Sequence, residues 1–420
     1  MGRVRLGAGW QSPAAMPRRR LAAIFGICAI FAGLVAIFSS DSVHRLWGTM
    51  AVCGYGLALV ALLGRQNRAA DLALGLSFAG ALAVPLAWMA IRGLEQPEVA
   101  VVARSGASLI HHGTPYTDAA VLIGTQDPNA YNPYLPIMAL FGVPRAVLGP
   151  SVLTDPRIWF GVVFLIVFWL ALRAGGARDP FRWAVLVAAC PVIAFELAVG
   201  GTDVPMVAFL CLGFGFLWQR RPVLAGLALG VGAAMKATAW PALLVAIALL
   251  AIRDGRRAVG SFTLTAVAVV VFCVGPFVVH PRALVENTIM FPLGLASVTS
   301  QASSPLPGHI IAGTGHLGHT IVVVLLAAAG LAVALSLVIR PPRSVPRAVL
   351  LLAGAMTLMF VLAPSTRFGY FIYPATLAIW LLAVLAGRAV PGDSAIPDPG
   401  APPASSHTTW RTSPASRPAA

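Results

Sequence analysis

Apolar runs of about 17 to 25 residues recur along almost the whole chain, and each is long enough to cross a bilayer. In lipid, an α-helix satisfies all of its own backbone hydrogen bonds, whereas a β-barrel would show alternating segments of about ten residues. The composition agrees, because 58% of the 420 residues are hydrophobic and 10% are charged, against about 25% charged in soluble domains. We therefore predict an all-α, polytopic membrane protein.

The apolar runs predict about twelve transmembrane helices. The basic start of the chain is followed by an apolar run without a small-residue cleavage site, which indicates a retained first helix rather than a signal peptide. We expect a basic cytoplasmic N-terminus at 1–20, a membrane domain at 21–388 and a disordered cytoplasmic tail at 389–420, which is rich in Pro, Ser, Ala and Thr. The predicted spans are 21–39, 47–64, 71–91, 157–173, 182–199, 203–218, 222–236, 239–252, 258–279, 318–339, 347–363 and 370–388.

The formal net charge of +15 raises the possibility of nucleic-acid binding, but the distribution of the charge argues against it. Most of the 29 basic residues lie in short clusters between alternate pairs of spans. Cytoplasmic loops of membrane proteins carry such clusters. The pattern therefore predicts that both termini are cytoplasmic, that two long loops at about 92–156 and 280–317 face outward, and that no nucleic acid is bound.

The first outer loop contains the densest collection of groups that could do chemistry. It contains Glu95, Glu98 and Arg104, then the pair His111-His112 and Tyr116, with Tyr134 near its end. A carboxylate here can serve as a general base that activates a hydroxyl, although each residue could equally belong to a merely solvated loop. Adjacent residues of a helix point about 100° apart, so His111 and His112 do not predict a shared metal ion.

Four further charged residues lie at predicted outer ends of spans: Glu196 and Asp203, which flank the turn Gly200-Gly201-Thr202, then Lys236 and Arg367. Ionisable groups at membrane depth are costly and usually functional, although Asp203 and Lys236 could simply pair or extend to the interface. A cation there can hold a phosphate by charge-assisted hydrogen bonds. A carboxylate base beside such cations suggests transfer of a sugar from a lipid phosphate to an acceptor hydroxyl.

Three sequence patches resemble the C-type superfamily of integral-membrane glycosyltransferases, specifically the bacterial glycosyltransferase family 87. The family is similar to polyprenol-phosphate-mannose-dependent α-mannosyltransferases. The first patch runs from Glu98 to Tyr116, with glutamate where the family usually has aspartate. The second is Tyr134-Leu135-Pro136. The third contains Gly201-Thr202-Asp203, Arg220-Arg221-Pro222, Ala225-Gly226-Leu227, Leu229-Gly230, Lys236 and Pro241.

The resemblance implies an enzyme of the bacterial plasma membrane that moves a sugar, expected to be mannose, from a polyprenyl-phosphate donor to a cell-envelope lipid, glycan or protein. It implies a base in the first large outer loop, which is Glu98 with Glu95 as the rival. Lys236 and Arg367, together with Arg104, would then bind the donor phosphate, and Asp203 would orient Lys236 or a sugar hydroxyl. Tyr116 and Tyr134 complete the expected substrate site, with no cofactor and no metal.

Two alternatives remain open from the sequence. A transporter or flippase of lipid-linked sugars would need ionisable groups along a midplane path between two halves of the chain. A non-catalytic membrane subunit would tolerate replacement of Glu98, Asp203 and Lys236.

Overall fold

The computed structural model describes residue 13 and residues 16–64, 68–292, 295–298 and 302–388. The predicted tail at 389–420 and most of the predicted N-terminal segment lie outside these residues. The described part is helical, and an isolated β-bridge joins Ser303 to Thr366. The prediction of an all-α protein is therefore confirmed.

Helices carry the chain back and forth between two ends of the molecule. The first four are α1 (Arg18–Phe38), α2 (Ser42–Leu63), α3 (Ala69–Phe78) and α4 (Val84–Arg92). The next three lie in the first long loop: α5 (Pro97–His112), α6 (Ala119–Ile123) and α7 (Val143–Leu148). The middle of the chain contains α8 (Pro156–Gly175), α9 (Pro180–Ala189), α10 (Pro191–Val199), α11 (Val204–Trp218), α12 (Pro222–Ala233), α13 (Trp240–Arg253) and α14 (Arg256–Val274). The last are α15 (Pro281–Val285), α16 (Pro307–Ala312), α17 (His316–Ile339), α18 (Val345–Leu362) and α19 (Ile372–Arg388).

Each of the twelve predicted spans coincides with one of these helices or with a pair of them. Eight helices in the described part of the chain are long and apolar enough to cross a membrane, and a ninth crossing results if one bent pair is counted as a span. The total of twelve crossings stays a prediction, because α11, α12 and α13 are shorter. The eight are Arg18–Phe38, Ser42–Leu63, Ala69–Arg92, Pro156–Gly175, Arg256–Phe277, His316–Ile339, Val345–Leu362 and Phe368–Arg388.

The predicted span 182–199 is broken rather than continuous. Helices α9 and α10 meet at an angle of 61°, and Cys190 between them has an extended backbone. Pro191 explains the break, because proline lacks a backbone N–H and disfavours helical geometry in the residue before it.

Nearly all of the apolar surface of helix α17 is left uncovered by the rest of the chain. Its exposed large apolar side chains include Leu331, Val338 and Ile339. A soluble protein does not expose an apolar helix of 24 residues. Lipid is the solvent that suits such a surface, so the structure is that of a multi-pass membrane protein.

Helix α5 is held close to the helical bundle at the end where the long loops lie. Gly106 lets α5 pack closely against the later part of the same loop, because a Cβ atom there would lie 2.6 Å from the Cα of Gly142. At the start of α5 the backbone N–H of Gln96 donates to the carbonyl of Val199 at 2.8 Å, and the Gln96 side chain lies against Gly200. These contacts fix the first turn of α5 beside the turn between α10 and α11.

Candidate active site

The carboxylate of Glu98 lies in the first turn of α5, where the partial positive charge of a helix N-terminus favours an anion. Its Oε1 atom accepts a hydrogen bond from Nη1 of Arg367, a residue 269 positions away in sequence. The two side chains are 20% and 30% exposed, so the ion pair is partly shielded from water. The other carboxylate oxygen, Oε2, is buried and has no hydrogen-bond partner among the described residues.

Arg367 is positioned by a short extended segment. The backbone N–H of Thr366 donates to Ala302 at 3.0 Å, and the N–H of Ser304 donates to Thr366 at 2.9 Å. The N–H of Phe368 donates to Oγ of Ser304 at 3.1 Å. The guanidinium therefore projects from a backbone that is fixed on both sides of Arg367.

A second cluster of polar groups surrounds Asp203, immediately before α11. Its Oδ1 atom accepts hydrogen bonds from Nζ of Lys236 and from the hydroxyl of Tyr373. The Tyr373 hydroxyl also lies 2.9 Å from Oγ1 of Thr238. The side chains of Asp203 and Lys236 are 13% and 12% exposed. A charge so shielded from water is costly unless an opposite charge neutralises it, so each of the two residues stabilises the other.

Tyr134 lies directly beneath the ammonium group of Lys236. Nζ is 4.9 Å from the centre of the ring, a distance at which the ring face attracts a cation. The backbone N–H of Leu135 donates to the carbonyl of Met235 at 2.9 Å, which ties the loop to the turn that carries Lys236. Burial raises the pKa of Tyr134 above its usual value, so its hydroxyl stays protonated.

Glu196 and Tyr370 connect the two clusters. The half-buried carboxylate of Glu196 lies close enough to Asp203 and Lys236 to interact electrostatically with both. It also faces the backbone of Gly369, where a Cβ atom would lie 2.9 Å from its Cδ. The Tyr370 hydroxyl is within electrostatic range of Asp203, Arg367 and Glu196, so both clusters belong to one site.

Glu95, the rival for the role of base, has different surroundings. Its Oε2 lies 3.9 Å from Nη2 of Arg157, a buried residue that also donates to both carboxylate oxygens of Asp155 at 2.9 and 2.7 Å. Nη1 of Arg157 donates to the carbonyls of Leu94 and Ala198, at 2.8 Å each. Burial raises the pKa of Glu95, and the charge of Arg157 opposes that rise. The arrangement ties the start of α5 to α8 and α10.

Arg104 and Tyr116 line an open cleft along α5. Nη2 of Arg104 donates to the carbonyl of Asn129. The buried Tyr116 hydroxyl donates to the carbonyl of Tyr134 at 3.1 Å, and burial raises the pKa of Tyr116. One of the lining residues, Val101, lies about one helical turn along α5 from Glu98.

The structure therefore brings together five of the eight residues that the sequence singled out for a site: Glu98, Tyr134, Asp203, Lys236 and Arg367. It places Arg104 and Tyr116 in the adjoining cleft and Glu95 beside Arg157. In the described part of the chain, no three His, Cys, Asp or Glu side chains are grouped so that they could hold a metal ion.

Sequence reasoning missed the hydrogen-bonding role of Tyr373 and Thr238 around Asp203, and it did not select Glu196 as a site residue. The signal for Glu196 was present, since an acidic residue in an apolar helix near its predicted outer end is unusual. The sequence did not predict that Tyr373 would contact Asp203 and Thr238, because both contacts depend on how α19 packs beside Lys236.

Comparison with known proteins identifies the class of enzyme that this helical membrane bundle and its charged site represent. Residues 132–364 match the model of glycosyltransferase family 87. The chain belongs to this family, and it is therefore a membrane glycosyltransferase, as the sequence patches predicted. The matched residues include Tyr134, Asp203 and Lys236, whereas Glu98 and Arg367 lie outside them. The same comparison favours the enzyme over the transporter and over the non-catalytic subunit.

Two solved structures are similar to the chain, both of ArnT from Cupriavidus metallidurans. The structure in the apo state is 17% identical over 76% of this chain and 60% of that one, with a TM-score of 0.45. The structure bound to undecaprenyl phosphate is 17% identical over 81% of this chain and 60% of that one, with a TM-score of 0.44. The chain thus spans 60% of the length of these structures. A search of curated proteins returned no match.

Proposed function

We propose that this glycosyltransferase moves a sugar, mannose in our expectation, from a polyprenyl-phosphate donor to a hydroxyl of a cell-envelope lipid, glycan or protein at the outer face of the membrane. The observation that carries the proposal is the arrangement of one carboxylate and two cations, Glu98, Lys236 and Arg367, at one end of a membrane bundle. A donor whose phosphate is attached to a lipid reaches such a site from within the bilayer.

The two cations suit a phosphate that develops negative charge. When the bond between the sugar C1 atom and the phosphate oxygen breaks, the electron pair of that bond stays on the oxygen. Lys236 and Arg367 stabilise this charge through preorganised N–H groups, which is the usual source of such catalysis. Asp203 positions Lys236 for this purpose, assisted by the hydroxyl of Tyr373.

Glu98 suits the role of general base. The acceptor hydroxyl gives its proton to a carboxylate oxygen of Glu98 while its own oxygen forms the new bond to C1. The ion pair with Arg367 uses one lone pair of Oε1, so the carboxylate keeps acceptor capacity for this proton. Since C1 is attacked from the side opposite the phosphate, the transfer inverts the anomeric configuration.

The cleft along α5 supplies a path for the acceptor. One of its lining residues, Val101, lies about one helical turn from Glu98, and its polar lining includes Arg104, Ser105, Ser108 and Tyr116. Hydroxyl and guanidinium groups hydrogen-bond sugar hydroxyls, so this lining suits an acceptor that carries several hydroxyls. Glu95 retains the base role as a rival, and it is tested together with Glu98.

The decisive experiment is transfer of labelled mannose from polyprenyl-phosphate-mannose by membranes that contain the chain. General-base catalysis contributes about 10²–10⁴-fold, so Glu98→Gln should lower the transfer rate by that factor. Glu95→Gln should retain most of the wild-type transfer rate. Full transfer by Glu98→Gln would remove Glu98 from the base role. No transfer by the wild type from any polyprenyl-phosphate sugar would refute the choice of donor.

A further inference from the structure

Among the described residues, the carboxylate of Glu196 makes no hydrogen bond and no ion pair, whereas the two neighbouring carboxylates are each held by a cation. Asp203 is held by Lys236 and Tyr373, and Glu98 is held by Arg367. Glu196 is half-buried, and none of the cations in the described residues lies within ion-pair distance of it. A carboxylate accepts up to about four hydrogen bonds, so Glu196 has acceptor capacity that the chain itself does not use.

A glycine lets this carboxylate pack directly against the backbone of the segment before α19. A Cβ atom at Gly369 would lie 2.9 Å from Cδ and 3.0 Å from Oε2 of Glu196, closer than van der Waals contact allows. Any other residue at 369 would therefore displace the Glu196 side chain. The backbone at this position joins the segment of Arg367 to α19, so the carboxylate of Glu196 lies beside the segment that carries this cation.

From this geometry we propose that Glu196 is the acceptor for hydroxyls of the donor sugar, and that Gly369 keeps its carboxylate in place. The ligand class is a hexose that is attached to a lipid phosphate. A negative carboxylate repels phosphate but binds neighbouring sugar hydroxyls by charge-assisted hydrogen bonds. Glu196 therefore recognises the sugar part of the donor, whereas Lys236 and Arg367 recognise its phosphate.

Tyr370 belongs to the same proposed subsite. Its ring lies 5.3 Å from that of Phe360, centre to centre, and the half-buried hydroxyl makes no hydrogen bond to the described residues. It lies near both Glu196 and Arg367. A phenolic hydroxyl in this place can donate to a sugar oxygen that Glu196 cannot serve, since a carboxylate only accepts.

The inference rests on the proposed function, and its test separates the two. The full-length protein in detergent is titrated with undecaprenyl phosphate and, separately, with undecaprenyl-phosphate-mannose. The variants are Glu196→Gln and Gly369→Ala. Matched controls make the same chemical changes outside the site: Glu286→Gln on the second long loop, and Gly354→Ala, where a Cβ atom meets nothing within 4 Å.

Glu196→Gln should bind the sugar-linked lipid about tenfold more weakly, as expected for replacing a charged acceptor by a neutral one. It should bind the sugarless phosphate as well as the wild type or better, because a nearby negative charge has gone. Gly369→Ala should show the same selective loss, and the two controls should match the wild type.

Two results overturn the inference while leaving the proposed function intact. One is equal weakening of both lipids by Glu196→Gln, and the other is unchanged affinity for the sugar-linked lipid. Failure of the wild type to bind either lipid overturns the proposed donor, and the role of Glu196 with it.

Discussion

The ion pair between Glu98 and Arg367 predicts that loss of the base should tighten binding of the donor phosphate. In the donor-free protein the guanidinium is already engaged by the Glu98 carboxylate. A phosphate that recruits Arg367 must compete with this carboxylate and also approach its negative charge. Glu98→Gln removes both obstacles, because an amide holds a guanidinium only through a weaker, neutral hydrogen bond.

The exposure of the two side chains sets the size of the effect. Exposed ion pairs contribute about 0–1 kcal/mol, and hydrogen bonds to buried charged groups contribute about 1.5–3 kcal/mol. With 20% and 30% of the side chains exposed, the pair belongs between these classes, at about 1–2 kcal/mol. Its removal should therefore lower the Kd for the phosphate lipid by a factor of about 5 to 30.

The assay is calorimetric titration of the purified protein with undecaprenyl phosphate, which carries no sugar and cannot turn over. Glu98→Gln should bind more tightly than the wild type although it transfers sugar far more slowly, and Glu286→Gln serves as the control for loss of a carboxylate elsewhere. Arg367→Gln should bind more weakly. Equal or weaker binding by Glu98→Gln would refute the idea that carboxylate and phosphate share one guanidinium.

Three further predictions test the surroundings of the site. Tyr373→Phe removes a hydrogen-bond donor to Asp203. In steady-state transfer assays it should lower kcat about tenfold with little change in the KM for the sugar donor. An unchanged kcat would argue against a positioning role of Tyr373. Arg157→Met leaves Asp155 buried without its counter-ion and should destabilise the fold by about 3–5 kcal/mol, seen as a lower Tm in detergent; an unchanged Tm would contradict the structural role of Arg157. The raised pKa of Glu95 means that the folded protein holds this proton more tightly than the unfolded chain. Stability should therefore decrease as the pH rises from the usual glutamate value through the raised value, and this part of the decrease in Tm should be absent in Glu95→Gln.

The positions of the helices could be predicted from the sequence, because an apolar run of membrane length satisfies its backbone hydrogen bonds in lipid as a helix. Pro191 lies inside the predicted span 182–199 and breaks it, and the same rule on proline could have predicted the break. Helix α12 ends at Ala233 rather than 236. Hydropathy alone did not reveal this end, because Ala234 and Met235 continue the apolar run into a turn that tertiary contacts stabilise.

Because successive spans run in opposite directions, the predicted spans were sufficient to place four charged residues at one end of the molecule: Glu98, Asp203, Lys236 and Arg367. It could not determine which side chains pair there. The contact between Asp203 and Lys236 was anticipated, since the two residues flank neighbouring short helices. The contact between Glu98 and Arg367 was not, because it depends on residues 302–304 fixing the backbone around Arg367.

Helix α12 has only 12 residues, which gives it a length of about 18 Å against a hydrocarbon thickness of about 30 Å. If Arg220 and Arg221 mark one boundary of the bilayer, the ammonium group of Lys236 lies roughly 10 Å short of the opposite boundary. The headgroup of the donor must then sink toward the centre of the membrane, or the bilayer must become thinner around the protein. Bulk water is scarce at that depth, so a recessed site of this kind protects an activated sugar from hydrolysis and reserves it for the acceptor.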